Sequence, residues 1–345
     1  MHDTLNQATP HARSSAPLDV LWTSALGRDD GDAYDRFVDE AEGGNFAQAR
    51  AWAPVARAGR PLRVRYFLAR TPEDGRVIGA AMVLRARAGP LPLPAAIVER
   101  GPVCGRVEDL PRVLAALVRA SRRHGVARLT VMPYWAGDRA PRAEDALASC
   151  GFKDVQEWTG AHVSTLRLDL TKTDEQICAG KEGGNLRTSI RRAEKAGAIA
   201  RLGTPADMPI FERLYGEVMG AQGRKSKPPE WFSALAGVAR DGTRGNLFVC
   251  EHEGEPMGTA FVTRHGNTAT LTYAATTSAS RPFSKLVPPL MAAIRWAREH
   301  GCTIFDLGGV PMEGDPDEKR RDIAAFKFHF ARERVGLAHE HARWF

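Results

Sequence analysis

A chain of 345 residues is long for one compact core and comfortable for two domains. Hydrophobic residues make up 43% and charged residues 26%, and no run approaches the roughly 18 apolar residues of a membrane helix, so the chain reads as a globular cytoplasmic protein without an integral membrane segment. Five scattered cysteines, none spaced CxxC, argue against a disulfide frame and a structural zinc site, while the net charge of +7, carried mainly by arginine, suits an anionic partner such as RNA or a phosphorylated precursor.

Residues 1–17 mix Asn, Thr, His, Ser and Pro without period and are expected to be disordered. Helical spacing runs over 32–52, with a break at Gly43-Gly44. Residues 62–69 and 77–84 read as strands around a turn at 72–75, hence a hairpin. Residues 91–94, Leu-Pro-Leu-Pro, read as an irregular apolar link. Residues 110–124 form an amphipathic helix, with Pro111 suited to its first turn and Gly125 to its end, and 127–132 is the strand after it.

The second half repeats the plan. Residues 247–251 and 257–263 flank a turn at 253–256, residues 290–300 are a helix closed by Gly301, and 303–307 is the following strand. Gly79-Ala-Ala81 matches Gly258-Thr-Ala260, and His124-Gly125 matches His300-Gly301 at nearly the same offset, which points to a duplicated α/β unit. Hairpin, helix, strand is also the core order of the GNAT acyltransferase fold.

The stretch 305–330, FDLGGVPMEGDPDEKRRDIAAFKFHF, closes this plan. Its strand breaks at Gly308-Gly309, a loop rich in Gly, Pro and Asp follows, and a short helix carries Ile323, Phe326 and Phe330 at helical spacing. "FDLGG" followed by "FKFHF" resembles the strand-loop-FK signature of the FemABX family of tRNA-dependent aminoacyl ligases. "NLRTSIRRAEKAG" at 185–197 resembles that family's Arg-rich helix, and "ERGPV" at 99–103 resembles the entry to the helix of its first domain. These segments appear in the family's order over most of 45–345. The resemblance implies an α/β (α+β) fold of two tandem GNAT-like acyltransferase domains, with the C-terminal strand, within 336–344, returning to the first. The expected boundaries are 18–165 plus 320–345 for the first domain and 166–319 for the second.

It also implies transfer of an amino acid from aminoacyl-tRNA to an amine of a peptidoglycan precursor, with aminoacyl-tRNA as co-substrate and no cofactor. The same chemistry on a small-metabolite amine of an antibiotic pathway, and a CoA-dependent GNAT N-acyltransferase, are the alternatives. A monomer is expected, with no DNA partner, and with peripheral membrane contact only where the acceptor is lipid-linked.

Arg187, Arg191 and Lys195 fall at i, i+4, i+8 with Arg192 beside them, a cationic stripe suited to phosphates; the rival reading is a solvated surface helix. Where a GNAT enzyme has a Gly-rich turn for the CoA pyrophosphate, residues 281–285 contain no glycine and include Pro282, with Pro288 and Pro289 just beyond, so a CoA nest is not expected; Lys285 remains a candidate anion contact. An ester donor needs neither ATP nor metal, only an attacking amine and a stabilised oxyanion. The family's FK lysine matches Lys327, read as the oxyanion stabiliser, with Phe326 packing beside it. Asp306 is read as orienting the amine, binding Lys327 or serving as a structural strand-end carboxylate, and Tyr273 as lining the cleft or, on the rival reading, as a core tyrosine. Many relatives carry Asp before Pro at the end of the first domain's last strand; here Met132 precedes Pro133, which leaves the general base unassigned. His339 and His341 have no third ligand, so no metal is expected.

Overall fold

The computed structural model describes residues 16–88, 91–155, 163–179, 183–311, 314 and 317–345. Disorder expected over 1–17 falls outside that set except at residues 16 and 17, and so do residues 312, 313, 315 and 316 of the loop after Gly309. In chain order the first half runs β1 (Asp19–Thr23), α1 (Arg28–Glu40), α2 (Ala53–Arg57), β2 (Leu62–Arg70), β3 (Val77–Ala88), β4 (Leu91–Val98), β5 (Val103–Cys104), α3 (Leu110–Arg123), β6 (Arg128–Val131), α4 (Arg139–Ser149) and β7 (Lys153–Asp154). The second runs β8 (Ser164–Asp169), α5 (Asp174–Ile177), α6 (Gly183–Lys195), β9 (Ile199–Leu202), α7 (Met208–Gly220), α8 (Pro229–Val238), β10 (Gly245–His252), β11 (Glu255–His265), β12 (Thr268–Thr276), α9 (Val287–Glu299), β13 (Ile304–Gly309), α10 (Glu318–Phe328), β14 (Arg334–Gly336) and β15 (His341–Trp344).

The strands form two sheets. One has the order β1-β2-β3-β4-β6-β15-β7, with β5 added to β3; the other has the order β14-β8-β13-β12-β11-β10-β9. In each, an antiparallel meander leads through a helix to a strand that pairs parallel with the meander's last member, β4 with β6 and β12 with β13. β3 and β11 are buried over nearly continuous apolar runs, as central strands covered on both faces must be.

The duplication extends to hydrogen bonds. His124 and His300 cap α3 and α9, and each sets its Nδ1 against the carbonyl four residues back, at 2.9 and 2.8 Å. The next residues, Gly125 and Gly301, take φ +73° and +77°, which a side chain resists. Arg85 of β3 and Arg264 of β11 each donate to the carbonyl of the capping histidine at 2.7 Å.

β15 crosses back to pair with β6, as the C-terminal return implied. The crossing comes later than residue 320, because α10 and Phe330 pack into the core of the second sheet and β14 pairs with β8. Two further differences concern local elements. Residues 91–94 are strand, because Pro92 and Pro94 sit where the ladder to β3 is irregular. The helix expected over 32–52 is α1 followed by two single turns, since Gly43 and Gly44 lie against Trp135 and the Val38 carbonyl, where a Cβ does not fit.

One apolar core spans both sheets. Tyr34, Trp52, Leu68 and Met82 of the first half join Phe211, Trp231, Phe232 and Phe261 of the second, with α7 and α8 wedged between. That shared core fixes the facing strand ends on which the site is built.

Candidate active site

β13 ends at Gly308-Gly309, and Asp306 is 1% exposed just before that break. A buried carboxylate needs donors, and this one has them from both halves of the chain. Thr165 of β8 and the Gly308 amide donate to Oδ1, the latter at 2.8 Å. The hydroxyl of Tyr134, three residues past β6, donates to Oδ2, and Arg167 of β8 pairs with that oxygen at 3.6 Å, too long for a hydrogen bond. Arg100 and Arg167 lie over the Tyr134 ring at 5.3 and 5.5 Å, while burial and the Asp306 charge push the phenol's pKa well up, so it stays protonated. With both oxygens engaged, Asp306 is not available to orient an amine directly; it holds the turn that follows it.

That turn receives Lys327. Its Nζ donates to the Gly309 carbonyl at 2.8 Å. Burial lowers its pKa to about 8, against the opposing pull of the Asp306 charge. Gly308 has φ +76°, and a Cβ there would stand 3.6 Å from Nζ and 3.1 Å from the Leu271 carbonyl. The glycine therefore serves both the turn and the ammonium's access. Phe326 is half-buried and packs edge-on against Phe330 with ring centroids 5.6 Å apart. Ile323, expected in the apolar stripe of that helix, is 47% exposed, and Ala324 is the buried member instead.

The other expected residues make no hydrogen bond or ion pair with Lys327 or Asp306 among the described residues. Tyr273 joins an aromatic cluster with Trp231 (4.8 Å), Tyr215 and Phe211, and burial raises its pKa. Glu99, which pairs with Arg60 at 3.0 Å, is close enough to act on the Tyr273 charge. Arg187, Arg191, Arg192 and Lys195 are exposed along α6 and make no ion pair among the described residues, while Leu186 and Ala193 are buried on its other side. No hydrogen bond or ion pair among the described residues links α6 to Lys327. Lys285 is turned inward: its Nζ donates to the carbonyls of Thr277 and Ala279 at 2.5 and 2.8 Å, which staples its own loop.

The sequence reading did not single out Tyr134, Thr165, Arg167 or Arg100. The nearest signal was Pro133, which marks the end of a strand directly before Tyr134. His339 precedes β15 and lies beside Glu144 and Asp154, whereas His341 is within the strand. Among the described residues no group of His, Cys, Asp and Glu is arranged to hold a metal.

A GNAT fold raises the question of acetyl-CoA. α9 opens with Val287-Pro288-Pro289, so two of its first-turn residues lack an N–H. The preceding loop backs onto Gly258 with a backbone contact too close for a Cβ, and buried Phe283 fills it. These residues do not form the cradle of amides that a CoA pyrophosphate requires.

Two sheets of this order, each with a parallel strand pair joined through a helix, define a tandem GNAT-fold protein, and residues 181–320 match the family model of an acetyltransferase (GNAT) domain. The FemABX resemblance extends beyond that segment to most of the chain. The UDP-N-acetylmuramoylpentapeptide-lysine N(6)-alanyltransferase of Weissella viridescens is 23% identical over 310 residues, covering 87% of this chain and 89% of that protein. The crystal structure of FemX superimposes with a TM-score of 0.79 at 16% identity, covering 95% of this chain and 97% of that one. A tandem GNAT protein from the clavulanic acid biosynthesis pathway gives 0.52 at 15% identity, over 94% and 98% of the two chains.

Proposed function

We propose that the protein transfers an aminoacyl group from aminoacyl-tRNA to an amine of a peptidoglycan precursor, forming a peptide bond without a cofactor. The observation that carries this reading is Lys327, a half-buried ammonium held by the Gly309 carbonyl beside Asp306, in a chain whose α9 lacks two of the first-turn amides that would face a CoA pyrophosphate. The similarity to an alanyltransferase acting on such a precursor supports the acceptor.

In the reaction the acceptor's ammonium first gives up a proton to solvent or to a basic group of the substrate. The free amine attacks the ester carbonyl, and the C=O pair becomes an oxyanion. Lys327, charged and poorly hydrated, donates to that oxyanion more strongly than to the ground-state carbonyl. The ester C–O bond then breaks, the new amide nitrogen sheds its extra proton, and the leaving ribose oxygen takes one up. Asp306, Thr165 and Tyr134 hold the Gly308-Gly309 turn, and so the ammonium's position, throughout.

A cavity of about 620 Å³ beside β2 suits an anionic part of the acceptor. It is lined by Arg57, Arg63, Arg65 and Arg87, none of which makes an ion pair among the described residues, and by Arg60, whose partner Glu99 is one residue from Arg100 at the site.

The experiment is donor discrimination. Purified protein is mixed with the UDP-linked muramoyl pentapeptide and either total charged tRNA or acetyl-CoA, and products are weighed by mass spectrometry. Gain of one aminoacyl residue from charged tRNA alone supports the reading. Acetylation, or no product from any charged tRNA, overturns it.

A further inference from the structure

One end of the first sheet, the end farthest from Tyr134, carries a patch whose apolar residues the transfer reaction does not use, while two of its arginines, Arg63 and Arg65, also line the acceptor cavity. Three large apolar side chains stand out there, Leu91 (68% exposed), Leu93 (41%) and Trp344 (71%). Strand register brings them together. β4 begins at Leu91, its Ala95 pairs with Arg128 at the start of β6, and Arg128 pairs in turn with Trp344.

Arginines surround these three residues. Arg63 faces Arg85 across the β2–β3 ladder, Arg122 and Arg123 are exposed in the last turn of α3, and the Arg128 guanidinium lies 5.6 Å over the Trp344 ring. Burial lowers the Arg85 pKa, and like-charge repulsion from nearby Arg65 lowers it further. The segments that build this end, 60–70, 83–98, 110–130 and 341–345, contain no Asp or Glu.

We infer that this end of the sheet docks on an anionic lipid bilayer. Isolated exposed hydrophobes are ordinary on a protein surface, but three at one strand end among arginines from segments that hold no Asp or Glu are a different object. Arginines there meet anionic head groups, and Leu91, Leu93 and the amphipathic indole of Trp344 enter the boundary between head groups and acyl chains. A nucleic acid would use the arginines and could stack on Trp344, but it leaves Leu91 and Leu93 in water, which is why the lipid surface fits better. No helix among the described residues is long and apolar enough to cross a membrane, so the contact is peripheral. β4 runs from the patch toward the catalytic end, and eight residues at about 3.3 Å each stand the site roughly 25 Å off the bilayer plane. This surface goes beyond the transfer reaction and holds whichever donor the enzyme uses.

Co-flotation of the full chain with vesicles tests it. Vesicles of phosphatidylcholine alone are compared with vesicles containing about one third phosphatidylglycerol, at low salt and at roughly 0.5 M salt. The protein is expected to float with the anionic vesicles only and to be released by salt. The triple variant Leu91→Ser, Leu93→Ser, Trp344→Ser is expected to lose about tenfold or more of its partitioning while melting normally and transferring to a soluble acceptor at the wild-type rate. Should the triple variant melt early, Leu91→Ser alone and the charge pair Arg122→Glu, Arg123→Glu carry the comparison. Wild-type protein that stays unbound, or variants that float as well as wild type, overturn the inference. So does a patch variant that loses affinity for uncharged tRNA in a gel shift while floating normally, since the surface is then one for RNA.

Discussion

Tyr134 and Asp306 lie 172 residues apart in the chain, one past the end of a strand of the first sheet and the other on a strand of the second, and the phenol donates directly to the carboxylate. The turn that seats Lys327 is thus braced across the junction of the two halves. Removing the donor leaves a buried carboxylate oxygen short of a partner. Tyr134→Phe is expected to destabilise the protein by about 1–3 kcal/mol and to lower kcat more than it raises KM. Denaturant melts and steady-state kinetics on the one variant check both; unchanged kcat in a destabilised protein would make the bond a structural clasp only.

A second prediction concerns pH. Burial lowers the Lys327 pKa to about 8, and its charged form is the one assigned to the reaction. Below that value the cation is present, in about nine molecules of ten at pH 7. Above it the proton is lost and with it the donor. Deprotonation of the acceptor amine makes kcat rise with pH, and loss of the Lys327 proton is expected to flatten that rise above about 8. A rise that continues with unchanged slope through about 8 would show that the Lys327 charge is not used.

Gly308 allows a sharper local test. Alanine there must adopt φ +76° and places a methyl near both the Leu271 carbonyl and the Lys327 ammonium. Gly308→Ala is expected to cost about 1–2 kcal/mol in backbone strain and to reduce kcat by displacing Nζ. Thermal melts with single-turnover rates separate the two effects.

No hydrogen bond or ion pair among the described residues joins the exposed stripe on α6 to Lys327, and its assignment rests on the family likeness of the helix. Arg191→Ala and Arg187→Ala are expected to raise KM for aminoacyl-tRNA while kcat changes little. Each should also reduce the slope of log affinity against log salt by about 1, one phosphate contact per arginine. Salt slopes equal to wild type in both variants would leave α6 as a solvated helix face.

What could be read from the sequence follows from range. Gly125 and Gly301 announce helix ends through local backbone geometry, and the histidines before them repeat, so the duplicated hairpin, helix and strand were visible. Lys327 beside Phe326, and Asp306 before two glycines, were visible for the same reason, as short patterns around a break. Tyr134, Thr165 and Arg167 were not, because their value lies in meeting Asp306 from more than 130 residues away, and nothing in their neighbours records that meeting. Lys285 misled in the opposite sense: a lysine before a helix suggests an anion, but its ammonium is spent on Thr277 and Ala279. Residues 208–238 were assigned no helix, and α7 and α8 there fill the core that joins the sheets.

The central claim is that Lys327 supplies charge to the transition state of an aminoacyl transfer. Its most direct test is the single-turnover rate of Lys327→Ala with saturating aminoacyl-tRNA and acceptor, beside wild type and Lys327→Arg. The account predicts a variant that folds normally, binds both substrates, and reacts about 100-fold or more slowly, the scale of losing one oxyanion donor. Lys327→Arg should rescue poorly, because a planar fork does not replace a compact ammonium against the Gly309 carbonyl. A folded Lys327→Ala that keeps more than about a third of the wild-type rate, a change of well under 1 kcal/mol in the barrier, would contradict it.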